Sequence, residues 1–139
     1  MVVSVDGGCF CGSVRYHVEL TSSDEAHGSL CHCRNCKKAY GGGFMTAVKI
    51  PISCFSYSKG NAKVHAMDNG SGVLVTREFC DMCGSSILEY PESTKETHRF
   101  ITLGTLDDPT KFEPVYEIFT KDRLNWVSPV PGARQRAKL

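Results

Sequence analysis

From Ser13 to Leu20 the chain alternates cleanly, with Val14, Tyr16, Val18 and Leu20 on one face and Ser13, Arg15, His17 and Glu19 on the other. A period of two sustained over such a stretch predicts a half-buried β-strand. Similar short segments follow at 44–50, 54–58, 62–67, 73–79, 86–90, 99–103 and 115–120. Turn signals separate them at Lys59-Gly60-Asn61, Asp68-Asn69-Gly70 and Asp107-Asp108-Pro109. The pattern predicts an all-β domain of about eight to ten short strands. One helical turn is predicted from Arg34 to Tyr40, stopped by Gly41-Gly42-Gly43. There is no internal repeat beyond paired cysteines and no linker. Past Pro129-Val130-Pro131-Gly132 the alternation ends, so residues 1–128 are expected to form one domain and 129–139 a basic, flexible tail.

Composition narrows the class. A chain of 139 residues is one domain's worth. At that size folding buries only about two-thirds of the unfolded surface, so a metal cross-link would add useful stability. No apolar run approaches the roughly 18 residues of a membrane span. The start, Met1 to Asp6, lacks a charged segment followed by an apolar one, which leads to the expectation of a soluble, cytoplasmic protein. Sixteen basic against fifteen acidic side chains leave a net charge of +1. Such a balance gives no global field to steer the chain onto nucleic acid or a membrane, and neither is an expected partner. The local positive excess, Arg134, Arg136 and Lys138, lies in the tail and reads as a solvated terminus.

The eight cysteines change the picture most. They fall at Cys9-Phe10-Cys11, at Cys31-His32-Cys33-Arg34-Asn35-Cys36, at Cys80-Asp81-Met82-Cys83, and singly at Cys54. Thiols two or three apart turn toward one ion through a tight loop, whereas a disulfide between them is strained, so the spacing favours zinc over disulfides, iron–sulfur ligation or redox use. Cys11 and Cys83 are each followed by glycine, the residue that lets a knuckle turn with positive φ and aim N–H groups at sulfur. Cys36 is followed by Lys37-Lys38 instead. The simplest partition joins Cys9, Cys11, Cys80 and Cys83 in a closed tetrahedral site and leaves Cys31, Cys33 and Cys36 as a three-ligand site. Three protein ligands with one open position is the arrangement of catalytic zinc. The alternative is a second closed site completed by Cys54 or a histidine. Cys54 reads as a buried inert thiol on the strand face of Ile50 and Ile52. His32, flanked by two ligands, should point away from the ion and serve behind the ligands or at the surface. His17, His27, His65 and His98 carry no spacing signal.

The glycine triplet is read either as a helix stop or as a turn whose amides approach an anion, with Arg34, Lys37 and Lys38 adding positive charge. A zinc on three thiolates carries a formal charge of −1, so it activates water poorly and is better suited to a thiol sulfur or an aldehyde oxygen.

Several motifs together resemble a known family. Gly8-Cys9-Phe10-Cys11-Gly12-Ser13-Val14-Arg15-Tyr16, Cys31-His32-Cys33-Arg34-Asn35-Cys36-Lys37-Lys38, Arg77-Glu78-Phe79-Cys80-Asp81-Met82-Cys83-Gly84 and Gly104-Thr105-Leu106-Asp107 occur in order. They are similar to the glutathione-dependent formaldehyde-activating enzyme family, which also includes centromere protein V, from Gly8 to about Trp126. The resemblance implies a β-tent, Mss4-like fold of short antiparallel strands with two zinc ions per chain. It implies a structural zinc on Cys9, Cys11, Cys80 and Cys83 and a catalytic zinc on Cys31, Cys33 and Cys36. The implied activity is that of a carbon–sulfur lyase, with glutathione as co-substrate and S-hydroxymethylglutathione formed from formaldehyde. Arg34, Lys37, Lys38 and Gly42 are the expected contacts to glutathione. Where family members often carry His-Ile-Phe, this chain reads Glu117-Ile118-Phe119. A non-enzymatic zinc module for a protein or nucleic-acid partner, and the same chemistry on a larger glutathione conjugate, stand as alternatives. The sequence carries no signal for oligomeric state.

Overall fold

The alternating stretch at the start of the chain folds as a strand whose Tyr16, Val18 and Leu20 are buried while Glu19 faces solvent. The computed structural model of the protein describes residues 2–139; Met1, the first residue of the expected domain, lies outside them. In chain order the strands are β1 (Val3–Gly8), β2 (Arg15–Leu20), β3 (His27–Cys31), β4 (Met45–Pro51), β5 (Phe55–Lys59), β6 (Lys63–Met67), β7 (Val75–Phe79), β8 (Ser86–Pro91), β9 (His98–Thr102), β10 (Pro114–Ile118) and β11 (Arg134–Gln135). The one α-helix, α1 (Arg34–Tyr40), lies between β3 and β4. Its end is set by Gly41, which adopts φ 72° and donates its N–H to the Lys37 carbonyl at 2.9 Å.

Two sheets result. The first has the order β1-β2-β5 and is antiparallel throughout. The second runs β11-β10-β3-β4-β9-β8-β7-β6. Most of its pairs are antiparallel, but β10 pairs parallel with both β3 and β11, a departure from the expected antiparallel arrangement. Parallel neighbours need a long connection, and here β4 to β9 supply it between β3 and β10.

Residues of both sheets merge in one apolar core that includes Tyr16, Leu20, Ile50, Ile87, Leu88 and Ile101, each at most 1% exposed. Burying each aliphatic side chain of this set contributes about 1.5–3 kcal/mol. A smaller cluster of Cys31, Cys36, Met45 and Ala47 forms separately, with Tyr40, Phe100, Ile118 and Phe119 packed against it. Cys54 belongs to the edge of the main core, half-buried in a 3-10 turn over Ile52–Cys54 rather than on a strand face with Ile50. The ladder of β4 ends at Pro51, which turns the chain before Cys54 is reached.

The last residues do not leave the fold as a free tail. Gln135 lies opposite Glu117 in the β10–β11 pair, the Arg136 N–H reaches the Glu117 carbonyl at 2.9 Å, and the Thr120 N–H reaches the Arg136 carbonyl at 3.0 Å. The Arg136 guanidinium lies over the Tyr116 ring, 5.1 Å from its centre. A two-residue strand has no periodicity to detect, and its Arg134 and Gln135 side chains are exposed, so composition alone resembles a solvated end. No helix among the described residues is long and apolar enough to cross a membrane.

The junction of the sheets is tight at Gly7. The Tyr16 hydroxyl donates to Thr105 Oγ1 at 2.8 Å, which in turn donates to the Thr102 carbonyl at 2.8 Å. Burial pushes the Tyr16 phenol up to about 12. A Cβ at position 7 would fall onto the Tyr16 ring and the Thr105 carbonyl oxygen. Gly7→Ala is therefore expected to lower stability by about 1–3 kcal/mol in urea unfolding, the usual cost of overpacking.

Candidate metal centres

Two tight knuckles bring the first group of sulfurs together. β1 ends at Gly8, and the chain folds back so that the Cys9 N–H binds the Val14 carbonyl at 3.0 Å, with Gly12 at φ 81°. After β7 the Gly84 N–H binds the Cys80 carbonyl at 2.8 Å, with Gly84 at φ 78°. The Phe10 N–H donates to Ser85 Oγ at 3.0 Å and joins the two knuckles. The Cys9 and Cys11 sulfurs are 3.6 Å apart, and those of Cys11 and Cys80 are 3.8 Å apart. Cys9, Cys11, Cys80 and Cys83 all lie within 4.8 Å of one another. A tetrahedral ion with bonds of about 2.3 Å to sulfur requires sulfurs about 3.8 Å apart, so the donor set fits zinc. Burial alone would raise the Cys9 thiol, but the Val14 N–H and the Ser13, Cys11 and Cys80 side chains bring it down to about 7. The Ser85 hydroxyl, the Ser85 N–H and the Cys11 N–H bring Cys83 down to about 5. These thiols are poised to ionise for a cation.

The second group comes from one stretch. Cys31 ends β3, Cys33 caps α1, and Cys36 lies in its first turn, where its N–H reaches the Cys33 sulfur at 3.3 Å. Pairing of Cys31 with Met45 on one side and Ile118 on the other fixes the strand end. The three sulfurs lie within 4.8 Å of one another, and no fourth Cys, His, Asp or Glu donor joins them among the described residues. Cys54 is not part of the group. The Cys31 and Cys36 thiols push Cys33 well down, against burial and aided by the N–H groups of Cys36 and Asn35. Sharing protons with its two neighbours, together with burial, pushes Cys36 far up; Cys31 is also raised, first through Cys33. A divalent ion that binds all three sulfurs as thiolates displaces the protons they still carry. Soft, clustered sulfurs fit zinc here as well.

His32 points away from this cluster into a buried polar knot; of the two roles expected for it, the surface one is excluded. It is fully buried and its Nε2 lies 2.7 Å from Glu117 Oε1. Glu117 is also fully buried and accepts from Arg123 Nη1 at 3.1 Å, the Val130 N–H at 2.8 Å and Gln135 Nε2 at 2.7 Å. A carboxylate only accepts, so the His32 proton in this pair sits on Nε2. Burial opposes ionisation of Glu117, but hydrogen bonds from Gln135, His32 and Val130, with the charge of Arg123, hold its carboxyl below the usual range. The sequence pointed to Glu117 only as a departure from the family pattern, and nothing in its spacing linked it to His32.

A second, half-buried pair was also missed. Arg77 on β7 and Glu89 on β8 lie opposite each other with Nη2 and Oε2 3.3 Å apart, and Arg77 lies beside the Tyr40 ring of α1. Burial pushes the Glu89 carboxyl up, opposed by the charge of Arg77.

The expected glutathione contacts are distributed unevenly. Lys37 donates to the Asp122 carbonyl at 2.7 Å, and Arg34 Nη1 donates to Asn35 Oδ1 at 3.3 Å. Lys38 lines an open cleft beside α1. Gly42 has room for a side chain, its nearest neighbour being the Phe44 carbonyl at 3.4 Å from a Cβ, whereas Gly43 is pressed against the Trp126 ring. Of the two readings of the glycine triplet, the helix stop is realised at Gly41.

Two sheets of short strands closed by paired cysteine knuckles, with a separate three-sulfur cluster, define an all-β, Mss4-like protein. A family model described as glutathione-dependent formaldehyde-activating enzyme matches residues 4–122, and the chain belongs to that family. No curated protein matches the chain. Among solved structures it is similar to the crystal structure of a Rhodobacter sphaeroides protein, at 19% identity and a TM-score of 0.55, over 94% of this chain and 98% of that one. At that identity the likeness concerns the fold.

Removing the Glu117 carboxylate leaves four donors facing one another in a buried space. Glu117→Ala is expected to cost about 3–5 kcal/mol in urea unfolding of the metal-loaded protein. Because the folded carboxyl titrates below its unfolded value, its contribution is complete above the usual carboxylate range and is lost as pH falls through the folded value. The stability difference between the natural chain and Glu117→Gln should be constant from neutral pH to about pH 5 and shrink below about pH 4.

Proposed function

We propose that the protein is a zinc-dependent carbon–sulfur lyase that interconverts glutathione plus formaldehyde with S-hydroxymethylglutathione. The supporting observation is the gathering of Cys31, Cys33 and Cys36 without a fourth protein donor, in a chain matched by the family model from residue 4 to 122. In this reading Cys9, Cys11, Cys80 and Cys83 hold a structural zinc, and the three-sulfur group holds the zinc at the reaction site. Thiolate ligation requires reduced cysteines, which suits a reducing compartment such as the cytoplasm.

When bound, zinc in a three-thiolate set supplies a soft acceptor for a substrate sulfur and activates water poorly. The chain's own residues do the rest. The first-turn N–H of Cys36 holds the Cys33 sulfur in place. The His32–Glu117 pair fixes the segment between Cys31 and Cys33 from behind. Arg34, Lys38 and the open backbone at Gly42 offer positive charge and amides to glutathione carboxylates, and Lys37 adds charge while tethered to Asp122. In the forward reaction the thiol's electron pair forms the carbon–sulfur bond, the carbonyl π pair moves to oxygen, and the thiol proton ends on that oxygen. The reverse breaks the same bond, with no oxidation in either direction. Holding the two reactants together supplies the rate gain.

Exchange spectroscopy on a glutathione–formaldehyde mixture tests the reading. The zinc-loaded protein should speed interconversion, and Cys33→Ser should lose one of two zinc ions together with all acceleration. An interconversion rate unchanged by the loaded protein would remove the formaldehyde reaction and favour a non-enzymatic zinc module.

A further inference from the structure

One face of the β6–β7 ribbon looks across a cleft of about 390 Å³ toward α1. The register sets Met67 opposite Val75 and His65 opposite Arg77, with Phe79 at the knuckle end. Side chains two apart on a strand share a face, so these line the cleft together. Asn35, Lys38 and Ala39 form the facing side of α1, and Asn69 Nδ2 donates to Asn35 Oδ1 at 3.4 Å to close one end.

The chemistry of the lining is divided. Lys38 and Arg77 face the cleft, which no carboxylate lines. Arg77 is paired with Glu89 through Nη2, but its buried Nε has no partner among the described residues. Next to these cations lie Met67, Val73 and Val75, and Met67 and Val73 remain 48% and 44% exposed. Gly84 and Ser86 line this cleft and a second one, whose wall includes Tyr40 and Met45 of the apolar cluster around Cys31 and Cys36.

Formaldehyde is too small and too polar to account for an apolar wall. Glutathione accounts for the cations through its carboxylates, yet it too offers nothing apolar to Met67, Val73 and Val75. A volume near 390 Å³ is that of a small-molecule pocket. We infer that this cleft seats glutathione S-conjugates, with carboxylate held by Lys38 and Arg77 and an apolar S-substituent of several carbons laid against Met67, Val73 and Val75. The inference rests on the reading of Cys31, Cys33 and Cys36 as the reaction site and extends the substrate class beyond the formaldehyde adduct.

Calorimetric titration of the zinc-loaded protein with S-methylglutathione and S-hexylglutathione tests it, because both probes have a blocked sulfur and differ only in apolar length. The hexyl conjugate should bind at least about tenfold tighter, since buried methylenes favour it. Met67→Asp and Val73→Asp, at exposed positions, should each reduce the ratio to within about threefold, and Lys38→Glu should weaken both conjugates by a similar factor. The assignment is overturned by a ratio within threefold in the natural chain, by no binding of either conjugate, by a preference that survives both aspartate variants, or by unchanged affinity in Lys38→Glu. Titration reads binding and not turnover. A chain that keeps the preference but leaves glutathione–formaldehyde exchange unaltered would sink the lyase reading and leave the cleft assignment standing.

Discussion

Sulfurs crowded within 4.8 Å of one another, as they are in both clusters, cannot all ionise without a cation between them. Each thiolate disfavours the next by like-charge repulsion, and burial adds to the penalty. The opposed shifts of Cys33 and Cys36 express this conflict within one short segment. The two clusters meet the constraint differently. In the four-sulfur group the knuckle serines and backbone N–H groups lower the Cys9 and Cys83 thiols, while Cys11, against its Ser13 hydrogen bonds, is raised by burial and by those two neighbours. That group ties β1 to the end of β7 and so joins the two sheets at their rim. The three-sulfur group instead relies on a helix cap and on neighbours that do not touch an ion at all.

Those neighbours are organised around one carboxylate. Glu117 collects donors from His32, Arg123, Val130 and Gln135, and in doing so it welds β10, the β11 return and the segment between two sulfurs into one unit. A buried charge is tolerated only with that many partners. This is the physical reason the last residues stay on the sheet although their side chains are exposed and basic. It also gives a use to Glu117, a position that the sequence marked only as a departure from the family resemblance.

Features written in local spacing were legible in the sequence. The helix from Arg34 to Tyr40 and its glycine stop appear as expected, and the strands that alternate, such as β2 and β7, fall within a residue or two of the predicted segments. The structure gathers the same four and three cysteines that knuckle spacing grouped. What the sequence hid has several physical causes. β3 is a central strand paired with β4 and β10 along its two edges, and its residues after His27 are all buried, so no alternation marks it. β11 is too short to have a period. The His32–Glu117 and Arg77–Glu89 pairs depend on sheet register, which a linear reading does not supply. Cys54 was misplaced because Pro51 ends the strand before it.

The separations along the chain also set an order of assembly. Cys31, Cys33 and Cys36 need close only a short loop to share an ion, whereas Cys11 and Cys80 are 69 residues apart, so the entropy of closure is far larger for the four-sulfur group. Glu117 follows His32 by 85 residues, and its partners Val130 and Gln135 come later still. On a growing chain the three-sulfur loop is complete while its buried support has yet to be synthesised. The gathering of the three sulfurs is thus a matter of local chain closure, whereas the buried support of that site depends on β10 and β11 being in place.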